Sequence, residues 1–257
     1  TRRNEAATGE RTMSGFQLKP AGDTALIVEF GDQIDRDVND AVLALARDLE
    51  AAELDGVTEI APTFRSLAIY YEPLRLSQTQ LSLAVESLCS RAHKTRTPGR
   101  FWRLPVCYDR SLAPDLDAVA AKTGLATGQV VQRHCAETYH VYMLGFLPGQ
   151  AYLGDLAKEL ELPRLPTPRP KIAAGSVAIA MAMTCIFPQE TPCGWHLIGA
   201  SPVPLWRIGR DAQPLLQPGD KVRFDPVSLR EYDHWKAIAS APEFELRPIH
   251  DVRGQAA

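Results

Sequence analysis

Proline is the residue that most restricts what this chain can fold into. Twelve of its twenty prolines fall between Pro148 and Pro226. Each one fixes φ and removes a backbone donor, so neither long helices nor long central strands survive in that half. Short strands with tight connections remain open to it. The segments "GSVAIAMAM" (175–183), "GWHLIG" (194–199), "VPLW" (203–206) and "KVRFDPV" (221–227) read as such strands. The last follows "QPGD", a turn with proline and glycine where turn geometry wants them. Many short strands with Gly/Pro connections predict a compact β-barrel.

The first hundred residues are written differently. "ALIVEF" (25–30), "VTEIA" (57–61), "SLAIYY" (66–71) and "RFWRLPV" (100–106) carry the β-branched and aromatic residues of strands. Val38, Val42, Leu45 and Leu49 fall on one helical face. Ser77 with Gln80 forms a capping box that opens a second helix with Leu81, Ala84, Val85 and Leu88 inside. The order β-α-β-β-α-β is the ferredoxin-like pattern, although its last strand could equally begin the next domain. Between the two halves, "PDLDAVAAKTG" predicts a helix stopped by Gly124, and Thr127 can cap another that carries Val130, Val131 and His134. The alternating "TYHVYML" (138–144) leads from it into "GFLPGQAYLG" (145–154). The expected domains are a flexible leader over 1–15, an α+β domain over 16–98, a barrel over 99–232 and a peripheral tail over 233–257. Met13 is a candidate start within that leader.

A net charge of −3 argues against a nucleic-acid footprint, which needs a clustered basic face. No apolar run approaches the roughly 20 residues of a membrane helix, and the polar first residues lack the apolar core of a secretory signal. Cys89, Cys107, Cys135, Cys185 and Cys193 are odd in number and form no CxxC pair, so reduced thiols in a cytoplasm are the simplest account, with no zinc site.

No nucleophile elbow, phosphate loop or HExxH pair is present. His134 on its helix is either a packed helix-end histidine or a proton carrier. His140 and His196, on alternating strands, read as barrel wall or exposed face. The segment "RLPTPRPKIAAGS" (164–176), with Lys158 upstream, sets four cations in a proline-stiffened loop. Such a loop suits a carboxylate or phosphate, or is a solvated basic surface. Ser176 and Thr184 are nucleophiles only beside a base, which spacing alone does not show.

"GFLPGQAYLG", "PTPRPKIAAGSVAIA", "TCIFPQETPCGWHLIGASP" and "LLQPGDKVRF" resemble the 5-oxoprolinase B-subunit (PxpB) family, also known as KipI-like or allophanate hydrolase subunit 1 proteins. "GDTALIVEFGDQID" and "LPVCYDRSLAPDLDAVAAKTGL" fall in the same order, so the resemblance runs from residue 20 to about 228. It implies that the barrel is cyclophilin-like and follows an α+β domain. It implies one component of an assembly with PxpA-like and PxpC-like partner proteins. That assembly uses ATP, with magnesium, at the level of the complex to open 5-oxo-L-proline to L-glutamate. No cofactor bound by this chain alone is evident. The alternatives within the resemblance are a KipI-type inhibitor of a histidine kinase and a relative of urea carboxylase and allophanate hydrolase.

The residues it points to are His134 and Arg169 as catalytic. Tyr139, Phe146, Gln150, Tyr152, Lys171, Ser176, Thr184 and Trp195 are its substrate-binding candidates. Arg169 would hold a carboxylate or phosphate, and His134 would move a proton. The chain departs from the pattern at Gln150, where a phenylalanine is usual, at Cys185 and Cys193, where glycines are usual, and at Ala200, where an arginine is usual. Asp109 and Arg110 replace a glycine pair.

Overall fold

The computed structural model describes residues 11–13, 15–91, 99–207 and 214–249. The expected leader up to position 10, and the expected tail beyond position 249, lie outside the described residues. The chain divides into two compact units, residues 1–97 and 98–257.

The first unit is an antiparallel sheet with two helices. Its strands are β1 (Arg11–Met13), β2 (Phe16–Pro20), β3 (Ala25–Glu29), β4 (Val57–Pro62) and β5 (Ser66–Tyr71), in the order β1-β2-β3-β5-β4. Helix α1 (Arg36–Ala52) starts where Asp35 Oδ1 accepts the backbone N–H groups of Asp37 and Val38, at 2.8 and 3.2 Å. This satisfies two donors that a helix start leaves without partners. Its Val42, Leu45 and Leu49 pack with Leu26, Val28, Leu67 and Ile69 of the sheet. Helix α2 (Gln78–Arg91) opens on the Ser77–Gln80 box and adds Leu81 and Val85 to that core.

Five elements of the expected βαββαβ order are present as β3-α1-β4-β5-α2, but the sixth is not in this sheet. The strand at 101–107 belongs to the second unit, and β2 takes the place beside β3. β2 reads "FQLKP", too polar and too short to announce itself by alternation.

The second unit is a closed barrel. Its strands are β6 (Phe101–Cys107), β7 (Tyr139–Leu144), β8 (Ala151–Gly154), β10 (Ser176–Ala180), β11 (Met183–Ile186), β13 (His196–Ala200) and β14 (Lys221–Val227). They close in the order β10-β11-β8-β7-β14-β6-β13. A two-stranded ribbon of β9 (Arg169–Ile172) and β12 (Thr191–Cys193) stands beside the barrel. The parallel pair β6–β14 runs in register from Lys221 opposite Phe101 to Val227 opposite Cys107. Asp220 fixes that register from the "QPGD" turn. Its buried carboxylate accepts from Arg100, from Trp102 Nε1 at 2.9 Å and from the Gln217 backbone N–H at 2.9 Å.

Helices α3 (Leu116–Thr123) and α4 (Thr127–Ala136) pack Leu116, Val119 and Val130 into the barrel core, and Gly124 ends α3 at φ 71° as expected.

Several expected elements are corrected. The stretch 175–183 is two strands, turned at Met181, which sits at φ 53° without the glycine or asparagine that usually marks such a turn. "VPLW" forms no strand, since Pro202 and Pro204 remove the donors a ladder needs. Thr127 is the first helical residue, and the cap is the Gln129 side chain accepting the Ala126 N–H at 2.8 Å. The stretch expected as a peripheral tail completes α5 (Leu229–Ala239), and its Phe244 and Leu246 pack on the barrel core.

Candidate functional site

Strand alternation sorts the candidate residues onto the two faces of the barrel wall. Ala151, Leu153, Val177, Ile179, Ile186 and Ile198 point inward and form the core. Ala178, Ala180, Cys185, Phe187 and Leu197 point outward, where Ile172 and Cys193 of the ribbon, with Trp195, cover them. Tyr152 and Met183 border this second cluster and are partly buried.

His134, Tyr139 and Thr184 meet on the inner side. The His134 ring is fully buried and stacks on Phe224 with centroids 4.8 Å apart. Thr184 Oγ1 donates to the Ala178 carbonyl at 3.1 Å, so it accepts from His134 Nε2–H at 2.9 Å. Nδ1 is then the acceptor for the Tyr108 hydroxyl at 2.7 Å, and Tyr108 in turn accepts from Cys135 Sγ–H at 3.3 Å. Tyr139 donates to the His134 carbonyl at 2.8 Å. Burial lowers the imidazole pKa to about 3, and burial raises Tyr108 and Tyr139.

Both ring nitrogens are thus engaged, and the ring is neutral and sealed from solvent. The hydroxyl–imidazole pair Thr184–His134 has the separation of a nucleophile and its base, but it lies inside the core, where no substrate reaches it. The expectation of a proton carrier at His134 gives way to a structural node that ties α4 to the barrel wall.

The proline-stiffened loop is mostly spoken for. Arg169 Nη2 is ion-paired with Asp115 Oδ1, whose other oxygen accepts the Leu197 backbone N–H at 2.7 Å. Asp115 is itself buried, so this pair fastens the ribbon to the barrel and leaves Arg169 occupied. Lys171 faces Glu190 at 2.7 Å on the surface. Ser176 donates to the Ala173 carbonyl at 2.7 Å and serves the turn before β10. Arg164 differs from these. It is exposed, lies with its guanidinium 5.8 Å from the centroid of the Trp195 ring, and has no ion pair among the described residues. Its charge favours ionisation of Tyr152, Cys185 and Cys193, against burial that pushes all three up.

"GFLPGQ" is a tight loop between β7 and β8. The Gly145 N–H donates to the Gln150 carbonyl at 3.1 Å, and the Gln150 N–H to the Leu147 carbonyl at 3.0 Å. Gly149 lies at φ 76°, and a Cβ on it would meet Trp206 Cβ at 2.4 Å. Phe146, at φ 71°, is 66% exposed. An aromatic residue in the left-handed region is strained, and such strain concentrates at ligand and partner contacts. Gln150 is 1% exposed. Among the described residues its Nε2 has only Cys185 Sγ, at 4.0 Å, and its Oε1 has no hydrogen-bond partner.

The candidate site is therefore the outer wall of the barrel: Gln150 and Cys185 in the wall, Tyr152 and Trp195 in edge contact with centroids 6.2 Å apart, and Arg164 over Trp195. Gln150, Tyr152 and Trp195 were legible in the sequence as site candidates. Arg164 was visible only as one cation of four, and nothing in the spacing marked Tyr108 or Asp115. Gln150, Cys185 and Cys193, three points of departure from the pattern the chain resembles, converge at this wall, since Gln150 touches Cys185 and the two thiols share one cluster. The described residues hold no cluster of His, Cys, Asp and Glu side chains suited to a metal ion.

Comparison with known proteins matches this architecture. The chain is 36% identical to the 5-oxoprolinase B-subunit of Bacillus subtilis (strain 168) over 232 residues, 86% of this chain and 97% of that one. It is 36% identical to the 5-oxoprolinase B-subunit of Escherichia coli O157:H7 over 208 residues, 80% of this chain and 93% of that one. It superposes on the crystal structure of TTHA0988 with a TM-score of 0.72 and 35% identity over 79% of its length, and spans only 40% of that longer chain. The model of the carboxyltransferase domain, subdomain C and D, matches residues 16–216, and the chain belongs to that family.

Proposed function

We propose that this chain is the B-subunit of an ATP-dependent 5-oxoprolinase, which acts with PxpA-like and PxpC-like partners to open 5-oxo-L-proline to L-glutamate. The two relatives named as 5-oxoprolinase B-subunits support the reading, because each is matched over nearly its whole length. The observation that carries it to a site is Arg164, a cation without an ion pair among the described residues, held over the Trp195 ring of the cluster whose Cys185 is the neighbour of the buried Gln150 carboxamide.

Arg164 takes the role first expected of Arg169: its guanidinium binds the carboxylate of 5-oxoproline, with the geometry that suits a planar anion. Trp195 and Tyr152 wall the ring of the substrate and exclude water. A five-membered lactam is a poor electrophile, and ATP supplies the activation of its oxygen in the assembly. Such chemistry is driven by positioning and charge stabilisation, so it needs no nucleophile–base pair from this chain.

The test is reconstitution. The chain purified with its cognate PxpA-like and PxpC-like proteins releases glutamate from 5-oxoproline in the presence of ATP and magnesium. A complete, folded assembly that releases none overturns the reading.

A further inference from the structure

We propose that in this chain the Gln150 carboxamide reads the amide edge of the substrate and makes this barrel wall selective for lactams over open-chain secondary amides; this deepens the 5-oxoprolinase reading and rests on it. Gln150 is almost completely buried, with Oε1 unpartnered and Nε2 no nearer to a partner than Cys185 Sγ at 4.0 Å. Its surroundings are apolar: the fully buried Cys185 belongs to one cluster with Phe187 and Trp195, bordered by Tyr152. A buried carboxamide in such a place costs stability that methionine or leucine of similar size would not. Buried polar groups without partners are rare enough in folded proteins that each one calls for a cause.

The cause lies in the shape of the group. A primary carboxamide presents a carbonyl oxygen and one N–H on the same edge. A ring of five atoms locks its amide cis, so a lactam also presents N–H and C=O on one edge. The two edges pair through two parallel hydrogen bonds: lactam N–H to Oε1, and Nε2–H to lactam C=O. An open-chain secondary amide is trans, with its donor and acceptor on opposite edges, and reaches the same pairing only by isomerising. The cost of the cis form disfavours it by about a hundredfold or more. Arg164, over the Trp195 ring of that cluster, supplies the carboxylate contact. Tyr152, a partly exposed neighbour, lines the side from which the ring enters.

The experiment compares wild type with Gln150→Met and Gln150→Leu, in the full assembly and as the full chain. In the assembly both variants raise KM for 5-oxoproline about tenfold or more, as expected for hydrogen bonds lost inside a desolvated site, while KM for ATP is unchanged. In the chain alone they raise the thermal midpoint, because an unpartnered polar group is gone; a merely structural glutamine would lower it on removal. Unchanged KM for 5-oxoproline in an assembly that still turns over overturns this inference and leaves the 5-oxoprolinase reading standing.

If the wild-type assembly is inactive, that reading falls, and binding to the chain decides the inference. Wild type then binds 2-pyrrolidinone more tightly than N-methylacetamide, and Gln150→Met loses the preference. Equal binding of the two amides by wild type overturns it.

Discussion

At the scale of single residues, two side chains that look alike in the sequence have opposite consequences. Arg164→Ala removes an exposed cation with no ion pair among the described residues, so the fold is untouched. In the reconstituted assembly it raises KM for 5-oxoproline about tenfold or more, measured by steady-state kinetics. Arg169→Ala instead leaves the buried Asp115 carboxylate without its cation, although the Leu197 N–H remains. It lowers stability by about 1–3 kcal/mol in urea unfolding, discounted because Arg169 is partly exposed. Equal losses of stability in both variants would remove Arg164 from the site.

His134 gives a pH signature. Its folded pKa of about 3 lies below the ordinary value of 6.5. As pH falls through 6.5 the unfolded chain takes up a proton that the folded chain refuses, so stability declines from there toward pH 3. The slope from this residue reaches at most about 1.4 kcal/mol per pH unit. Urea midpoints between pH 7 and pH 5 show that decline in wild type, and His134→Asn lacks this component of it.

At the scale of elements, the "GFLPGQ" loop shows what a sequence can and cannot announce. Gly149 has the positive φ that its turn requires, and its missing Cβ lets Trp206 approach. Gly149→Ala meets both obstacles, and costs about 1–3 kcal/mol with a matching fall in thermal midpoint. Phe146→Ala leaves the unfolding free energy within about 0.5 kcal/mol of wild type, since its ring is exposed.

Periodicity and caps found α1 and α2, the strong strands of the sheet, and the glycine stop of α3, because those signals are local. What they missed was set by tertiary pairing. β2 is polar and exists because β3 has an edge to fill; β8 is four residues of an apparent loop, held between β7 and β11. The turn at Met181 carries no turn residue at its bend. Arg169 meets Asp115 across 54 residues of sequence, which no spacing rule reaches. The site was half legible for the same reason: residue types and loop stiffness pointed to the barrel wall, but only packing distinguished an occupied cation from an available one, and a sealed histidine from a working one.

At the scale of the molecule, the question is where a nucleotide binds. Phosphates favour helix N-termini, where free N–H groups and the helix dipole meet them. Among the described residues, side chains close four of the five α-helix starts. Asp35 caps α1, Ser77 and Gln80 cap α2, Gln129 caps α4, and Ser228 with Glu231 caps α5. At the start of α3 stands Asp115, whose carboxylate is committed to Arg169 and the Leu197 N–H. Carboxylates therefore stand at three of these ends and repel a polyphosphate. A net charge of −3 adds no attraction.

The barrel wall instead offers a guanidinium without an ion pair among the described residues, a carboxamide and two aromatic rings, a set scaled to a small carboxylated amide. On the function proposed above, the lactam falls to this chain and the nucleotide to its partners. Thermal midpoints of the isolated chain test it directly, because a ligand of the folded state at free concentration L stabilises it by RT ln(1 + L/Kd) and so raises the midpoint. Millimolar 5-oxoproline raises the midpoint, and millimolar ATP with magnesium leaves it unchanged. Glutamate release appears only when the PxpA-like and PxpC-like proteins are added. A clear rise with ATP on the chain alone would return the nucleotide to this chain.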